Sequence, residues 1–181
     1  LRPGRRLNWH VGFAEAPELA RVASLVDVIS FDIVGDRETA QEVYGLDLDL
    51  ADYLRQLALL RTIAPVTPHV TLGLRGGRFS GEERALRALA ELSIETVILL
   101  ILIPTPGTRY AEVAPPALAE VARHFELARR LLPATRLYLG CMRPHGRYRQ
   151  QVDLLALQAG LDGIVNPSRD AIAAAEASGR P

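Results

Sequence analysis

Leu7-Asn-Trp-His-Val-Gly-Phe13 is the stretch that decides the fold, because apolar and polar side chains alternate along it. In an extended strand successive side chains point to opposite faces, so the asparagine, the histidine and the glycine share one face. Residues 28–33 and 69–74 repeat the pattern, with Ser30 and Asp32 in the first segment and His69 in the second on the polar face. Parallel strands covered by helices on both faces are apolar throughout. The polar faces therefore predict strands that line a barrel lumen.

Strand patterns alternate with amphipathic helical patterns along the whole chain. Predicted strands cover residues 7–13, 28–33, 69–74, 97–103, 136–140 and 163–165, and the clearest helices cover residues 50–61, 82–92, 116–132 and 148–159. Such alternation indicates a parallel sheet with helical crossovers. A complete barrel of eight units takes about 250 residues, and this chain has 181. We therefore predict a single α/β domain over residues 1–181, a partial TIM-like (β/α) barrel of about six consecutive units.

Composition excludes several classes of protein. The 21 cationic side chains are all arginine and balance 21 acidic ones, which argues against a nucleic-acid or membrane-surface protein. The absence of lysine from the sequence excludes Schiff-base chemistry and the phosphate-loop lysine. A single cysteine, Cys141, cannot by itself hold an iron–sulfur cluster. The longest apolar run, residues 97–103, is too short to span a bilayer, and we expect a cytoplasmic protein.

Polar residues at the carboxyl ends of the strands are the candidate site, because reactive groups in barrels gather there. Asp32 is expected to be functional, since a carboxylate at the end of a buried strand is costly without a partner or a ligand. His10 and His69 are candidates for metal binding or proton transfer, although no carboxylate or cysteine stands at ligand spacing from either in the sequence. Hydrogen-bonded core histidines are the alternative.

Three further strand ends carry candidate site residues, and each has a functional and a purely structural interpretation. The glycine-rich stretch from Gly73 to Glu82 either cradles an anion or an adenosine ribose, or is a flexible turn that frees Ser80 to cap a helix. Pro104-Thr-Pro-Gly-Thr108 is either part of a site or a rigid loop. Cys141 is either a reactive thiol activated by the charge of Arg143 or a small buried apolar group.

Four motifs in order resemble the later strands of biotin synthase-like radical S-adenosylmethionine proteins. They are Asp27-Val-Ile-Ser-Phe-Asp32, Gly77-Arg-Phe-Ser-Gly-Glu-Glu83, Leu102-Ile-Pro-Thr-Pro-Gly-Thr108 and Arg136-Leu-Tyr-Leu-Gly-Cys-Met-Arg143. Within that group the chain most resembles the homologues that include the two-subunit, archaeal-type lipoyl synthases. The resemblance implies a sulfur-inserting or related radical enzyme that uses S-adenosylmethionine and acts on a small-molecule or lipoyl-type substrate.

The resemblance also assigns roles by position. Ser30 and Asp32 match the strand that contacts the ribose of the cofactor, with Ser30 where an asparagine is usual. Residues near the adenine are Gly77, Phe79 and Gly81, followed by Pro104 and Thr105 after the next strand. Cys141 falls about where biotin synthase carries an arginine beside its auxiliary cluster. His10, His69 and Arg143 complete the candidate catalytic set with Cys141.

One departure from the family bears on activity. Members hold a 4Fe–4S cluster on a Cys-x3-Cys-x2-Cys loop, which these 181 residues do not contain. We expect the chain to be the C-terminal part of a longer barrel, to be inactive alone, and to use a cluster only when the N-terminal part is supplied. One alternative is a shortened, non-catalytic barrel that acts as a binding or partner subunit or as a dimer. Another is a cluster-independent enzyme that uses His10, Asp32 and His69 as acid and base.

Overall fold

Six strands alternate with helices through the part of the chain that the computed structural model describes, residues 4–180. The strands are β1 (Asn8–His10), β2 (Val28–Asp32), β3 (Val66–Leu72), β4 (Thr96–Ile101), β5 (Arg136–Leu139) and β6 (Gly163–Ile164). The helices are α1 (Ala16–Val22), α2 (Arg37–Thr39), α3 (Leu50–Leu60), α4 (Glu82–Ala90), α5 (Leu118–Leu131), α6 (Arg147–Gln158) and α7 (Arg169–Ala177). A short 3₁₀ helix follows α1, and α2 continues into a π-helical turn, Ala40–Tyr44.

All six strands are parallel and lie in the order β1-β2-β3-β4-β5-β6. Each strand pairs with the next one along the chain, which is the connectivity of a (β/α) barrel. The predicted partial barrel is therefore confirmed. Within residues 4–180 the sheet does not close, so β1 and β6 form its two edges. No helix in this range has the length and apolar character that crossing a membrane requires.

The hydrophobic core lies between the sheet and the helices on its outer side. Strand residues such as Phe31, Leu72 and Leu99 pack there against helix residues that include Leu57 and Phe125, all of them almost fully buried. On β3 the burial alternates, since Pro68, Val70 and Leu72 are buried whereas the residues between them are half-buried. This alternation confirms that the polar face of the early strands is turned away from the helices.

Two boundaries differ from the sequence-based expectations. Strand β3 begins at Val66, three residues before the predicted start, and Pro68 pairs with Phe31 in the parallel register despite having no N–H to donate. Ser168 caps α7 as its position indicates, but Ser80 does not cap α4, whose N-cap is Gly81. The Ser80 hydroxyl instead donates to Asp36 Oδ2 at 3.0 Å, which ties the loop after β3 to the loop after β2.

Those two loops touch through their backbones. A Cβ atom placed on Gly35 would lie 1.8 Å from the carbonyl oxygen of Gly81, and one placed on Gly81 would lie 2.3 Å from Asp36 Oδ2. Both distances are far below van der Waals contact. Glycine at Gly35 and Gly81 is therefore a packing requirement of the carboxyl-terminal end of the sheet.

Candidate functional site

Three adjacent strands place His10, Asp32 and His69 side by side on the inner face of the sheet. Asp32 is the direct register partner of His69 across β2 and β3. His10 is the partner of Ser30, which lies two residues before Asp32 and so on the same face of β2. The sequence separations of 22 and 37 residues hide this neighbourhood, and the parallel register creates it. We call these three residues the His–Asp–His cluster.

The side chains of the His–Asp–His cluster approach one another at distances longer than those of ordinary hydrogen bonds. His10 Nε2 lies 3.5 Å from Asp32 Oδ2, and His69 Nδ1 lies 3.7 Å from Asp32 Oδ1. The two imidazole rings meet edge to face, with centroids 5.0 Å apart. Hydrogen bonds between nitrogen and oxygen are about 2.7–3.2 Å long. Asp32 Oδ1 and His69 Nδ1 are buried and have no hydrogen-bond partner among residues 4–180.

Burial shifts the titration of two members of the cluster. Desolvation raises the pKa of Asp32, and the nearby charge of His10 partly offsets this. Desolvation, helped by His10, lowers the pKa of His69 to about 4. His69 is therefore a neutral imidazole at pH 7, and its unprotonated ring nitrogen is available to a metal ion. Shifts of this kind are typical of functional sites.

A cavity of about 360 Å³ opens beside the cluster. His10 and Asp32 form its polar wall, and aromatic side chains, among them Phe13, Tyr44 and Tyr53, form much of the rest. Desolvation and the charge of Asp32 raise the pKa of the Tyr44 phenol, and the same causes raise that of Tyr53 to about 12. Tyr44 ends the π-helical turn, a type of irregularity found often at functional sites. Neither tyrosine is among the candidates that the sequence predicts.

The residues expected near the ribose and adenine lie in several environments. The Ser30 hydroxyl donates to Asn8 Oδ1 at 3.1 Å, so it already has a partner within the sheet. Phe79 stacks on His124 of α5 at 4.2 Å between ring centroids. The Thr105 hydroxyl donates to the Ile103 carbonyl and is exposed, as part of the turn that follows Pro104. A role of these residues in cofactor binding stays a prediction.

Glu82 shapes the glycine-rich loop. Its carboxylate is buried, and it accepts from the Gly73 amide at 2.9 Å and from the Ser80 amide at 2.7 Å. Gly77 has a φ of +84°, which glycine adopts without strain, and a Cβ there would lie 2.6 Å from the Ala114 carbonyl oxygen. The loop is thus tied to the Glu82 carboxylate by two main-chain hydrogen bonds, and its role in cradling an anion or an adenosine ribose stays a prediction.

Cys141 and Arg143 lie close in sequence but in different surroundings. Cys141 is exposed, so it is not the buried apolar group of the alternative interpretation. Arg143 is fully buried and donates to Asp153 Oδ1 from Nε at 2.6 Å and to main-chain carbonyl oxygens from its other nitrogens. These contacts give the guanidinium a structural role. A catalytic role for either residue stays a prediction.

Glu42 connects three loops at the carboxyl-terminal end of the sheet. Its carboxylate accepts from Arg75 Nε at 2.7 Å and from the Tyr110 hydroxyl at 2.8 Å, and Arg78 and Arg109 each approach to 3.8 Å. The hydrogen bond from Arg75, followed by that from Tyr110, lowers the pKa of Glu42. Glu42 is not among the candidates that the sequence predicts, because its partners come from loops that only the fold brings together.

No family model matches the chain. A biotin synthase from Desulforudis audaxviator is 30% identical over 165 residues, which is 83% of this chain. The chain is a distant relative of biotin synthase. It spans about half of that protein, since the match covers 50% of its length. The biotin synthase-like resemblance that the motifs indicate is confirmed at this level, and the lipoyl synthase subtype stays a prediction.

Solved structures agree on the fold. The FeFe-hydrogenase maturase HydG from Carboxydothermus hydrogenoformans matches 88% of this chain with a TM-score of 0.67 and 16% identity, over 39% of its own length. A hydroxymethylglutaryl-CoA lyase from Pseudomonas aeruginosa matches 91% of this chain with a TM-score of 0.59 and 16% identity, over 53% of its own length. The similarity of this chain to these two proteins concerns the barrel fold alone.

Proposed function

We propose that this chain is the adenosine-binding and substrate-enclosing part of a radical S-adenosylmethionine enzyme of the biotin or lipoyl synthase type. The observation that supports it most is the identity to a biotin synthase, which extends over 165 residues rather than over one motif. The parallel strand order of the partial barrel and its polar inner face agree with it. A lumen of this kind shields a reactive intermediate from water.

The residues of this chain fit one of the two implied cofactors. A 4Fe–4S cluster in this family requires three cysteine thiolates, and the sequence has only Cys141, so these residues do not fit it. The proposal therefore requires the cluster ligands to come from polypeptide beyond these 181 residues, and this chain alone is inactive in radical chemistry.

S-Adenosylmethionine fits better, because the Asp32 side chain is 38% exposed and its carboxylate borders the cavity, where it can accept hydrogen bonds. Ribose hydroxyl groups donate strong hydrogen bonds to a carboxylate. The ordered loop at Gly77 provides a main-chain surface beside the same end of the sheet. When bound, S-adenosylmethionine supplies the radical chemistry of the proposed class. Asp32 orients its ribose, and the inner face of the sheet holds a small-molecule or lipoyl-type substrate.

The Asp32→Asn variant tests this proposal. Isothermal titration calorimetry with S-adenosylhomocysteine, in EDTA, is expected to show binding to the unmodified chain. Asp32→Asn is expected to weaken it at least about tenfold, because a charge-assisted hydrogen bond to the ribose is lost. Asp170→Asn, which removes an exposed carboxylate from the first turn of α7, is the matched control and leaves the affinity unchanged. Equal affinities for the Asp32→Asn variant and the unmodified chain would contradict the assignment.

A second candidate is the cluster-independent acid and base enzyme, which the proximity of His10, Asp32 and His69 favours. A carboxylate whose pKa is raised by burial, as that of Asp32 is, is a suitable general base beside two imidazole rings. Turnover by the chain alone in air, without added iron and abolished in Asp32→Ala, would select this candidate over the first. The third candidate, a binding or partner subunit or a dimer, is supported by the two sheet edges within residues 4–180.

A further inference from the structure

We propose that the His–Asp–His cluster is a mononuclear binding site for a divalent transition-metal ion. The ligands are one ring nitrogen each of His10 and His69 and a carboxylate oxygen of Asp32. This inference does not rest on the proposed function, although both assign a ligand to Asp32, since it depends only on three side chains that the sheet register brings together.

The geometry matches the size of a metal site. One ligand atom from each of the three residues lies within 4.8 Å of the others. The contacts of the histidines with Asp32 are 3.5 Å from His10 Nε2 to Oδ2 and 3.7 Å from His69 Nδ1 to Oδ1. Ligand atoms around a tetrahedral ion with bonds of 2.0–2.2 Å stand about 3.4 Å apart. Rotation of His10, whose side chain is 52% exposed on the edge strand β1, would bring its ring nitrogen to an ion held by Asp32 and His69.

The donor set indicates the class of ion. Two imidazole nitrogens and one carboxylate oxygen suit zinc, ferrous iron and cobalt, and two-histidine, one-carboxylate sets with open positions are common in catalytic sites. Magnesium and calcium prefer sites made of oxygen ligands, so they are not the expected occupants.

Unpartnered atoms point to a ligand at the same place. Asp32 Oδ1 and His69 Nδ1 are buried without hydrogen-bond partners among residues 4–180, and they lie 3.7 Å apart. A buried polar atom left without a partner destabilises the fold, because it has lost its hydrogen bonds to water. The alternative, a hydrogen-bonded chain from His10 through Asp32 to His69, requires contacts of about 2.7–3.2 Å, and neither measured contact reaches this range. A metal ion between the three side chains would satisfy both atoms at once.

Open coordination positions would face a space that can hold a ligand. Three protein ligands leave at least one position on the ion. The cavity of about 360 Å³ begins at His10 and Asp32 and is bordered by Tyr44 and Tyr53. We therefore expect the open position to take water or the carboxylate or carbonyl oxygen of a small molecule that carries an apolar group.

The test is titration of the chain, freed of metal with EDTA and of any affinity tag, with zinc and, separately, with cobalt. We expect calorimetry to show one saturable zinc site per chain and cobalt to give visible absorption bands typical of histidine ligation. His10→Asn, Asp32→Asn and His69→Asn are each expected to weaken zinc binding at least about 100-fold, because loss of a direct ligand should exceed the 10- to 100-fold cost of losing an outer-shell partner. Zinc is also expected to raise the melting temperature of the unmodified chain but not of the variants.

Two controls keep the result specific. His145→Asn removes an exposed histidine of the loop after β5, and Cys141→Ser removes the exposed thiol. Both are expected to bind zinc as the unmodified chain does. If His69→Asn fails to fold, the exposed His10 and the partly exposed Asp32 still provide two interpretable variants. Absence of a saturable site, or zinc affinity that is insensitive to His10→Asn and Asp32→Asn, would overturn the proposal.

The outcome is separable from that of the nucleoside experiment, although both involve Asp32. Zinc binding is measured without nucleoside, and S-adenosylhomocysteine binding is measured in EDTA. A chain that binds zinc but not the nucleoside keeps the metal site and loses the proposed function. A chain that binds the nucleoside but not zinc keeps the proposed function and loses the metal site.

Discussion

Replacing Asp153 with asparagine is expected to lower the free energy of unfolding by about 3–5 kcal/mol, because it leaves the Arg143 charge buried without its counterion. Both side chains are fully buried and 2.6 Å apart. The carboxylate also accepts from the Ser168 amide at 2.7 Å, so the pair links the end of β5 to α6 and to the N-terminus of α7. Chemical denaturation followed by circular dichroism measures the loss.

An exposed ion pair provides the control for this variant. Glu83 and Arg87 lie one turn apart on α4 and are both largely exposed. Exposed pairs of this kind contribute little to stability because water and salt screen them. Glu83→Gln is therefore expected to leave the denaturation midpoint nearly unchanged. A similar small effect in Asp153→Asn would show that the buried pair does not hold this part of the barrel together.

Replacing Gly35 with alanine is expected to cost about 3 kcal/mol or more, at the upper end of the range for overpacking. The new Cβ would lie 1.8 Å from the Gly81 carbonyl oxygen. That atom belongs to the main chain just before α4, so it cannot rotate away as a side chain can. The loops after β2 and β3 would have to separate, and this would disturb the end of the sheet that carries Asp32 and His69.

Gly12→Ala is the matched substitution, because nothing lies within 4 Å of a Cβ at that position. It is expected to change the free energy of unfolding by less than about 1 kcal/mol. Thermal unfolding of the two variants, measured side by side, gives the comparison. Equal melting temperatures for Gly35→Ala and the unmodified chain would contradict the close approach of the two loops.

The barrel and its polar face could be predicted from the sequence because they follow from local periodicity. The alternation from Leu7 to Phe13 carries this information, and β1 and β2 place Asn8, His10 and Ser30 as it indicates. The start of β3 could not be predicted in the same way. Pro68 has no amide to donate and usually marks the end or the edge of a strand. Here the pairing with β2 extends past it.

The candidate site could be predicted only as separate residues. His10, Asp32 and His69 were each identified from their position near a strand end, but their contact depends on the register between strands, which no local pattern specifies. Glu42, Tyr44 and Tyr53 were missed for a related reason. They lie in helical segments after β2, and their proximity to Arg75 or Asp32 arises only when loops distant in sequence pack together.

Strand β1 has three residues, lies at an edge of the sheet within residues 4–180, and carries His10. A short edge strand is among the least stable parts of a fold, because its main chain is paired on one side only. Any polypeptide that pairs with the free side of β1 would therefore restrict the motion of His10. By reciprocal coupling, a ligand that fixes His10 would strengthen the binding of that polypeptide by the same factor. Pairing at the free edge of β1 and ligand binding at the His–Asp–His cluster are therefore thermodynamically coupled.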